Sequence, residues 1–376
     1  MRHDEDGDQP GGSPIGIRLA RWRACRQLSI AELGTRAQIP ADRIAVLESG
    51  RDWVDRRGEL AALTAALRLD PTDLTGQPYP PADDDHAMVR AIAFQLRRQL
   101  AETPPAPSNG SVEELNDRTA SALAAEAAGD EHALALTLPG LIRLGDAVAA
   151  GASATERQRA VELRARGHIT AAGLLRRLGY KDLAWILLHR ARPGVPESVM
   201  VLVEEVRLLI DLGLPEFALA RAERAEAAGS DPELPLLAAL AHAAAGRREE
   251  ADELLHQAAR RAVDPRTQSA VTAARIAVAA EAGAADEVIE HAHSAELNGL
   301  EAAGRATAMV TAASAYARLG APEKATACLA DAEALAQLRL RLDPFARELL
   351  AVLLTRTNNS AAAETVRQIA ARAGMR

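Results

Sequence analysis

The chemistry open to this sequence is carried mainly by its arginines. Between Ile15 and Arg68 ten Arg face six Asp and Glu, so the segment holds about +4 while the whole chain stands at −8 and the remainder near −12. A locally basic module on an acidic body suits contact with phosphate at one place only, because the rest of the surface repels it. A second group, Arg176, Arg177 and Arg207, falls on inward-facing helical positions and is a candidate groove for an acidic peptide or a small ligand, set against the plainer alternative of a solvated helix face. His291 and His293 lie two apart on a helix and point away from each other, with no third ligand in view, so no metal is expected. No phosphate-cradling glycine loop, HExxH or nucleophile elbow occurs, and the expectation is a non-enzyme without cofactors. Cys25 and Cys328 are far apart, form no framework, and fit a reducing cytosol.

The elements that position the first basic group are short helices. In the stretch Leu28 to Arg51, Ser29 followed by Glu32 is a capping box, which predicts a helix from Ile30 to Ala37. After a turn at Gln38 and Ile39, Pro40 suits the start of a second helix. Ile44 and Leu47 form its apolar stripe and Gly50 stops it. Two helices around so tight a turn make a helix-turn-helix unit, which presents its second helix to the DNA major groove. An amphipathic helix from Gly16, with Ile17, Ala20, Ala24 and Leu28 on one face, packs behind them. Helices near Arg57 to Arg68 and Pro71 to Leu74 complete a five-helix domain over residues 15–76.

The other segments separate by composition. Residues 1–14 are polar and rich in Gly and Pro and read as a disordered arm. Gln77 to Asp85 breaks regular structure and is a natural place to convert ligand state into head spacing, and residues 77–110 as a whole read as a linker holding one helix. From 111 to 376 the chain is helical and periodic. Gly179, Gly213, Gly246, Gly283, Gly320 and Asn358 are each followed after five residues by Ala or Val and after seven more by Ala. Each unit reads as a helix, a turn and a second helix with small residues for close approach, the logic of tetratricopeptide repeats. Trp185, Tyr180, Phe217 and Tyr316 are assigned to packing between these helices. With aromatics at 2% and apolar content mostly Ala and Leu, the fold class is all-α. No leader or membrane-length apolar run is evident, so a cytoplasmic protein with no membrane partner is expected.

The motifs RACRQLS (Arg23 to Ser29), AEL in the second helix, Ile44, Leu47, ESGR (Glu48 to Arg51) and LTGQPYP (Leu74 to Pro80) carry a family resemblance. Residues 16–76 resemble the Cro/repressor-like helix-turn-helix domains of the XRE family, and the whole length resembles bacterial regulators that join such a lambda-repressor-like domain to a TPR-like α-solenoid. The resemblance implies an ion pair between Arg23 and Glu48, double-stranded DNA as partner, a homodimer, and a peptide, protein or small-molecule effector on the repeats. It places Ala41, Asp42, Arg43 and Val46 toward base edges: Arg43 for guanine or phosphate, Asp42 for a cytosine amino group, Ala41 and Val46 for a thymine methyl. Arg51, Arg56 and Arg57 are then the phosphate ligands. Ile30 stands where the family has Gln, Gly34 where it has Ala, and Gln38 where it has the turn glycine. The reading is a sequence-specific transcriptional regulator; the alternative is a TPR interaction scaffold with a degenerate helix-turn-helix used for dimerisation.

Overall fold

The computed structural model describes residues 13–102, 110–195, 198–229, 231–293, 295–357 and 361–375, and among these all regular structure is helical. Of the arm read as disordered, residues 1–12 lie outside the described residues, whereas Ser13 and Pro14 belong to the first domain. The Ser13 hydroxyl accepts from Gly16 N–H at 3.1 Å and Pro14 opens α1 (Pro14–Cys25). Starting there, the helix turns Ile15 and Leu19 into the core and leaves Ile17 40% exposed, with Ala24 also at the surface. Two apolar stripes interleave along this helix, and the one beginning at Ile15 faces inward.

Helix α2 (Ile30–Ala37) has the full capping box: Ser29 Oγ accepts from Glu32 N–H at 3.1 Å and Glu32 Oε2 accepts from Ser29 N–H at 2.8 Å. Gln38 takes the left-handed conformation, φ 56°, at a position where glycine is the low-cost residue. Gly34 is required by contact, since a Cβ there would lie 2.7 Å from the Ile39 carbonyl oxygen. Helix α3 (Ala41–Glu48) has Pro40 as its N-cap and buries Ile44 and Leu47. Helices α4 (Arg57–Leu67) and α5 (Pro71–Thr75) close a core built from Ile15, Leu19, Leu33, Ile44, Leu47, Leu63 and Leu74.

Beyond it the chain runs as a solenoid-like succession of helices. The segment after α5 is pinned: Gln77 Nε2 donates to the carbonyls of Arg177 and Leu342 at 3.0 and 3.2 Å, and Tyr79 is buried beneath Arg347, whose guanidinium stands 4.0 Å from the ring centroid. Helix α6 (Asp84–Ala101) then packs Val89, Ile92 and Leu96 into one core with α8 (Glu131–Gly151), which follows α7 (Val112–Ala128). Helix α8 is long and apolar enough to cross a membrane, yet Leu134, Leu138 and Leu141 are buried in that shared core.

Five helical hairpins follow: α9 (Arg157–Leu178) with α10 (Lys181–Ala191), α11 (Val199–Asp211) with α12 (Pro215–Ala228), α13 (Leu234–Ala244) with α14 (Arg248–Arg261), α15 (Pro265–Glu281) with α16 (Ala285–Ala292), and α17 (Ala302–Arg318) with α18 (Pro322–Leu335). At each turn Gly179, Gly213, Gly246, Gly283 or Gly320 adopts φ between +70° and +90°, which a side chain would disfavour. The small residues that follow are packed away: Ala184, Ala191, Ala218, Ala225, Ala251, Val288, Ala325 and Ala332 are at most 1% exposed. Ala258 is only half-buried, Ala295 falls in a 3-10 turn beyond α16, and Asn358 lies outside the described residues. Phe217 departs from its assignment to packing and is 66% exposed on α12. Helices α19 (Gln337–Leu342), α20 (Pro344–Arg356) and α21 (Ala361–Arg372) end the chain, and α20 returns to α1.

Candidate nucleic-acid interface

The outer face of the helix-turn-helix follows from what the inner face buries. With Ile44 and Leu47 inward, Asp42 on α3 and Ser49 at its C-cap are exposed, while Ala41, Ala45 and Val46 are partly exposed on the same helix. From α2 and its turn, Thr35, Arg36 and Gln38 also stand at the surface. Ser49, Arg36 and Gln38 are not among the DNA-contact candidates that the sequence suggests. The signal was present for Ser49, seven positions after Asp42 and so on the same helical face. Arg51 is exposed, with its Nε donating to Ser49 Oγ at 3.0 Å.

Arg43 is placed otherwise. Its guanidinium turns into the protein, where Nε and Nη2 donate to the two Glu59 oxygens at 2.7 and 2.9 Å, Nη2 donates to the Trp53 carbonyl at 3.0 Å, and Nη1 pairs with Asp52. Burial by itself would lower the Arg43 pKa, but the Glu59 hydrogen bonds and the charges of Glu59 and Asp52 raise it above its ordinary value. With its Nε/Nη2 edge on Glu59 and its Nη1 and remaining Nη2 donors on Asp52 and the Trp53 carbonyl, this guanidinium has no fork left for a guanine. Arg56 reaches the same Glu59 at 3.3 Å. Arg57 lies against the helical region: Nη1 is 3.4 Å from Glu281 Oε1 and its guanidinium stands 5.3 Å from the Phe345 ring centroid. These three cations therefore hold the domain together and onto the rest of the chain, and are not turned toward the exposed face of α3.

Between Glu48 and Arg23 the bond is bidentate, with Nε to Oε1 at 2.6 Å and Nη2 to Oε2 at 2.7 Å; the side chains are 9% and 19% exposed. The Glu48 hydrogen bond raises the Arg23 pKa despite an opposing effect of burial. Arg23 Nη1 also donates to the Leu28 carbonyl at 2.8 Å, so this side chain ties α1, the entry to α2 and the end of α3.

The domain is seated on the helices that follow it by the turn after α3. Trp53 is 1% exposed and packs among Ala306, Val310, Ala313 and Leu349, while its Nε1–H donates to Ser314 Oγ at 3.1 Å. Arg318 stacks on that indole at 4.3 Å and forks onto both Asp55 oxygens at 2.6 Å each. Two distant glutamates supply helix N-termini of the head with acceptors they lack internally. Glu281 accepts from Arg57 N–H and Gly58 N–H at 2.9 and 3.0 Å, at the start of α4; Glu348 accepts from Ile15 N–H at 2.6 Å and from the Ser13 hydroxyl, at the start of α1. Burial pushes the Glu348 carboxyl up to about 7, against the lowering effect of those donors.

Arg176, Arg177 and Arg207 come together along a cavity of about 350 Å³ between α4, α5 and the helical hairpins. They are not a solvated helix face. Arg176 bonds Glu204 and Asp211 at 2.8 and 2.5 Å; Arg177 bonds Glu131 at 3.0 Å; Arg207 bonds Glu204 at 3.0 Å and also Glu233. Arg57, Lys181 and Arg339 join them in the lining, and the apolar part includes Leu60, Leu237, Leu240, Leu342 and Phe345. Burial, and then the charge of Arg177, pull the Arg339 pKa down to about 10. Among the described residues no group of three or more His, Cys, Asp and Glu is arranged to hold a metal.

Residues 14–94 match the family model described as a helix-turn-helix domain, so the matched part runs past α5 into α6. No curated protein matches the chain. Among solved structures, the crystal structure of an APC/C hetero-tetramer, Cut9-Hcn1, aligns over 97% of this chain and 78% of its own at 12% identity, with a TM-score of 0.38. The chain is thus all-α, with a DNA-binding helix-turn-helix domain of the XRE/Cro type at its N-terminal end and a helical, solenoid-like region after it.

Proposed function

We propose that the protein is a sequence-specific transcriptional regulator that acts as a homodimer, with residues 15–76 as its DNA-binding head and residues 111–376 as a TPR-like repeat domain that takes up an effector. The observation that carries this reading is the arrangement of α3. Its outer face is uncovered while the turn behind it is bolted to α17 and α20 through Trp53 and Arg318. Such a head can enter a major groove and still be moved by its support. Base contact then falls to Asp42, Val46 and Ser49, with Ala41 and Gln38 at the edges, and phosphate contact to Arg51 and Arg36. Dimerisation follows from scale, since one small head buries too little surface for specific binding and two heads must match half-sites about one helical turn apart.

Selection of bound duplexes from a random pool by the purified full-length protein, followed by sequencing, tests this. A two-half-site motif supports the reading, and Asp42→Ala together with Ser49→Ala is expected to change the selected bases, whereas Arg51→Ala weakens all sequences and lowers the salt slope by about one. Failure to enrich any sequence leaves the interaction scaffold as the better account.

A further inference from the structure

We infer that the cavity between the head and the helical hairpins is a binding site for a small organic anion, its negative group meeting Arg339 and its apolar body lying on Leu60, Leu237, Leu240 and Phe345. This deepens the effector part of the proposed function and rests on it. The carrying observation is the difference among the cavity's cations. Arg176, Arg177 and Arg207 each donate to carboxylates, and Lys181 Nζ donates to the Asp211 carbonyl at 2.5 Å. Arg339 donates no hydrogen bond among the described residues; its nearest carboxylate is Glu131 Oε1 at 3.6 Å, already held by Arg177 at 3.0 Å.

A guanidinium facing a half-apolar cavity, with Glu131 shared and 3.6 Å away and Glu126 acting only from further off, is under-compensated, and an anion entering beside it gains the interaction that the protein withholds. The paired arginines around it add donors held in place by their own carboxylates. The volume falls in the range of small-molecule sites and admits no helix or strand. Because Leu60, Ala61 and Pro71 of the head form one wall, an occupant touches both parts of the protein at once.

The test uses the full chain without DNA and a pair of probes that differ in charge: 1-anilinonaphthalene-8-sulfonate, an apolar body with one anionic group, and its uncharged relative N-phenyl-1-naphthylamine. Fluorescence titration is expected to show one saturable sulfonate site per chain, with the neutral probe bound at least tenfold more weakly. Arg339→Gln should weaken the sulfonate tenfold or more and leave the neutral probe unchanged, and Arg339→Lys should restore most of the loss. Ala61→Phe, which fills the cavity from the head side, should abolish saturable binding of both. Equal affinity for the two probes, or unaltered sulfonate binding to a folded Arg339→Gln protein, overturns the inference. If Arg339→Gln does not fold, sulfonate binding that survives Ala61→Phe overturns it instead. Duplex selection by the same protein without probe is a separate measurement, so either reading can fail while the other stands.

Discussion

Replacing Trp53 by Ala should loosen the head from the helices beneath it without unfolding the head. The indole is 1% exposed, and a buried Trp removes roughly 150–250 Å² from water, which at about 25 cal/mol per Å² amounts to about 4–6 kcal/mol. Large-to-small core substitutions of this kind cost about 3–5 kcal/mol, so about 4 kcal/mol is the expected loss. The location of that loss is set by what the ring touches. The ring meets Ser314 and Arg318 of α17 and Arg356 of α20 and belongs to their core cluster, and the core of the head is complete without it. Urea unfolding followed by circular dichroism gives the magnitude. Hydrogen exchange gives the place: the amides of Arg57, Gly58 and Ile15, which donate to Glu281 and Glu348, should exchange faster, while Leu33 and Ile44 inside the head keep their protection. A variant within about 0.5 kcal/mol of the parent, or one whose head amides all lose protection together, would refute the claim that Trp53 is a seat and not a core residue of the head.

Three further outcomes follow from the same contacts. Arg43→Ala should cost about 3–5 kcal/mol, because it leaves the buried Glu59 with Arg56 alone at 3.3 Å and the partly buried Asp52 with Arg318 alone; duplex selection should return an unaltered motif, and an altered one would put Arg43 back among the base readers. Glu48→Ala should cost about 1–3 kcal/mol, discounted for partial exposure of the pair, and Arg23→Ala should cost more because it also frees the Leu28 carbonyl; equal losses in denaturant melts would contradict this. The raised Glu348 pKa, about 7 against an unfolded value near 4.5, means that this group's contribution is fully present below about pH 4.5 and fades as pH rises through 7. Glu348→Gln, neutral throughout, should therefore gain on the parent between pH 5 and pH 8, by up to about 3 kcal/mol, and a difference independent of pH would show that the carboxyl is not strained by burial.

Local rules made the head legible and left its attachment unreadable. The Ser29 capping box and the stop at Gly50 placed α2 and α3 to within a residue, because caps are short-range hydrogen-bonding requirements written in adjacent positions. The five turn glycines disclosed the hairpins for the same reason. Periodicity gives the spacing of a stripe and not its phase, so the expectation of Ile17 inward gives way to Ile15 and Leu19, the stripe that packs into the core of the head. Arg43 looked like a reader since its partners, Asp52 and Glu59, come from beyond the helix. Trp53 meets Ser314, 261 residues away, and nothing in the pattern of either neighbourhood announces the other. Arg176, Arg177 and Arg207 were placed on an inner face by counting from glycines, but their carboxylates sit on other helices, so neither their burial nor the exceptional position of Arg339 could be counted out.

The relative sizes of these terms bear on how an effector could act. A ligand alters an equilibrium only by its difference in affinity between the states, typically about 1–3 kcal/mol for coupled sites. The Trp53 seat alone is worth about 4 kcal/mol on the accounting above, and the helix-capping contacts of Glu281 and Glu348 and the Arg318–Asp55 fork add to it. Full release of the head would thus ask more of a ligand than coupling commonly supplies. The segment from Gln77 to Tyr79 is also held, through the carbonyls of Arg177 and Leu342, so it is not a free hinge. What remains within reach is a small change in how α4 and α5 lie against the hairpins, at the wall where Leu60, Ala61 and Pro71 meet the cavity. In a dimer such a displacement, carried rigidly by each head, would appear as altered spacing between two recognition helices, and half-site spacing is the quantity to which paired heads are most sensitive. An effector working in this way should change the preferred spacer between half-sites and leave the bases within each half-site alone.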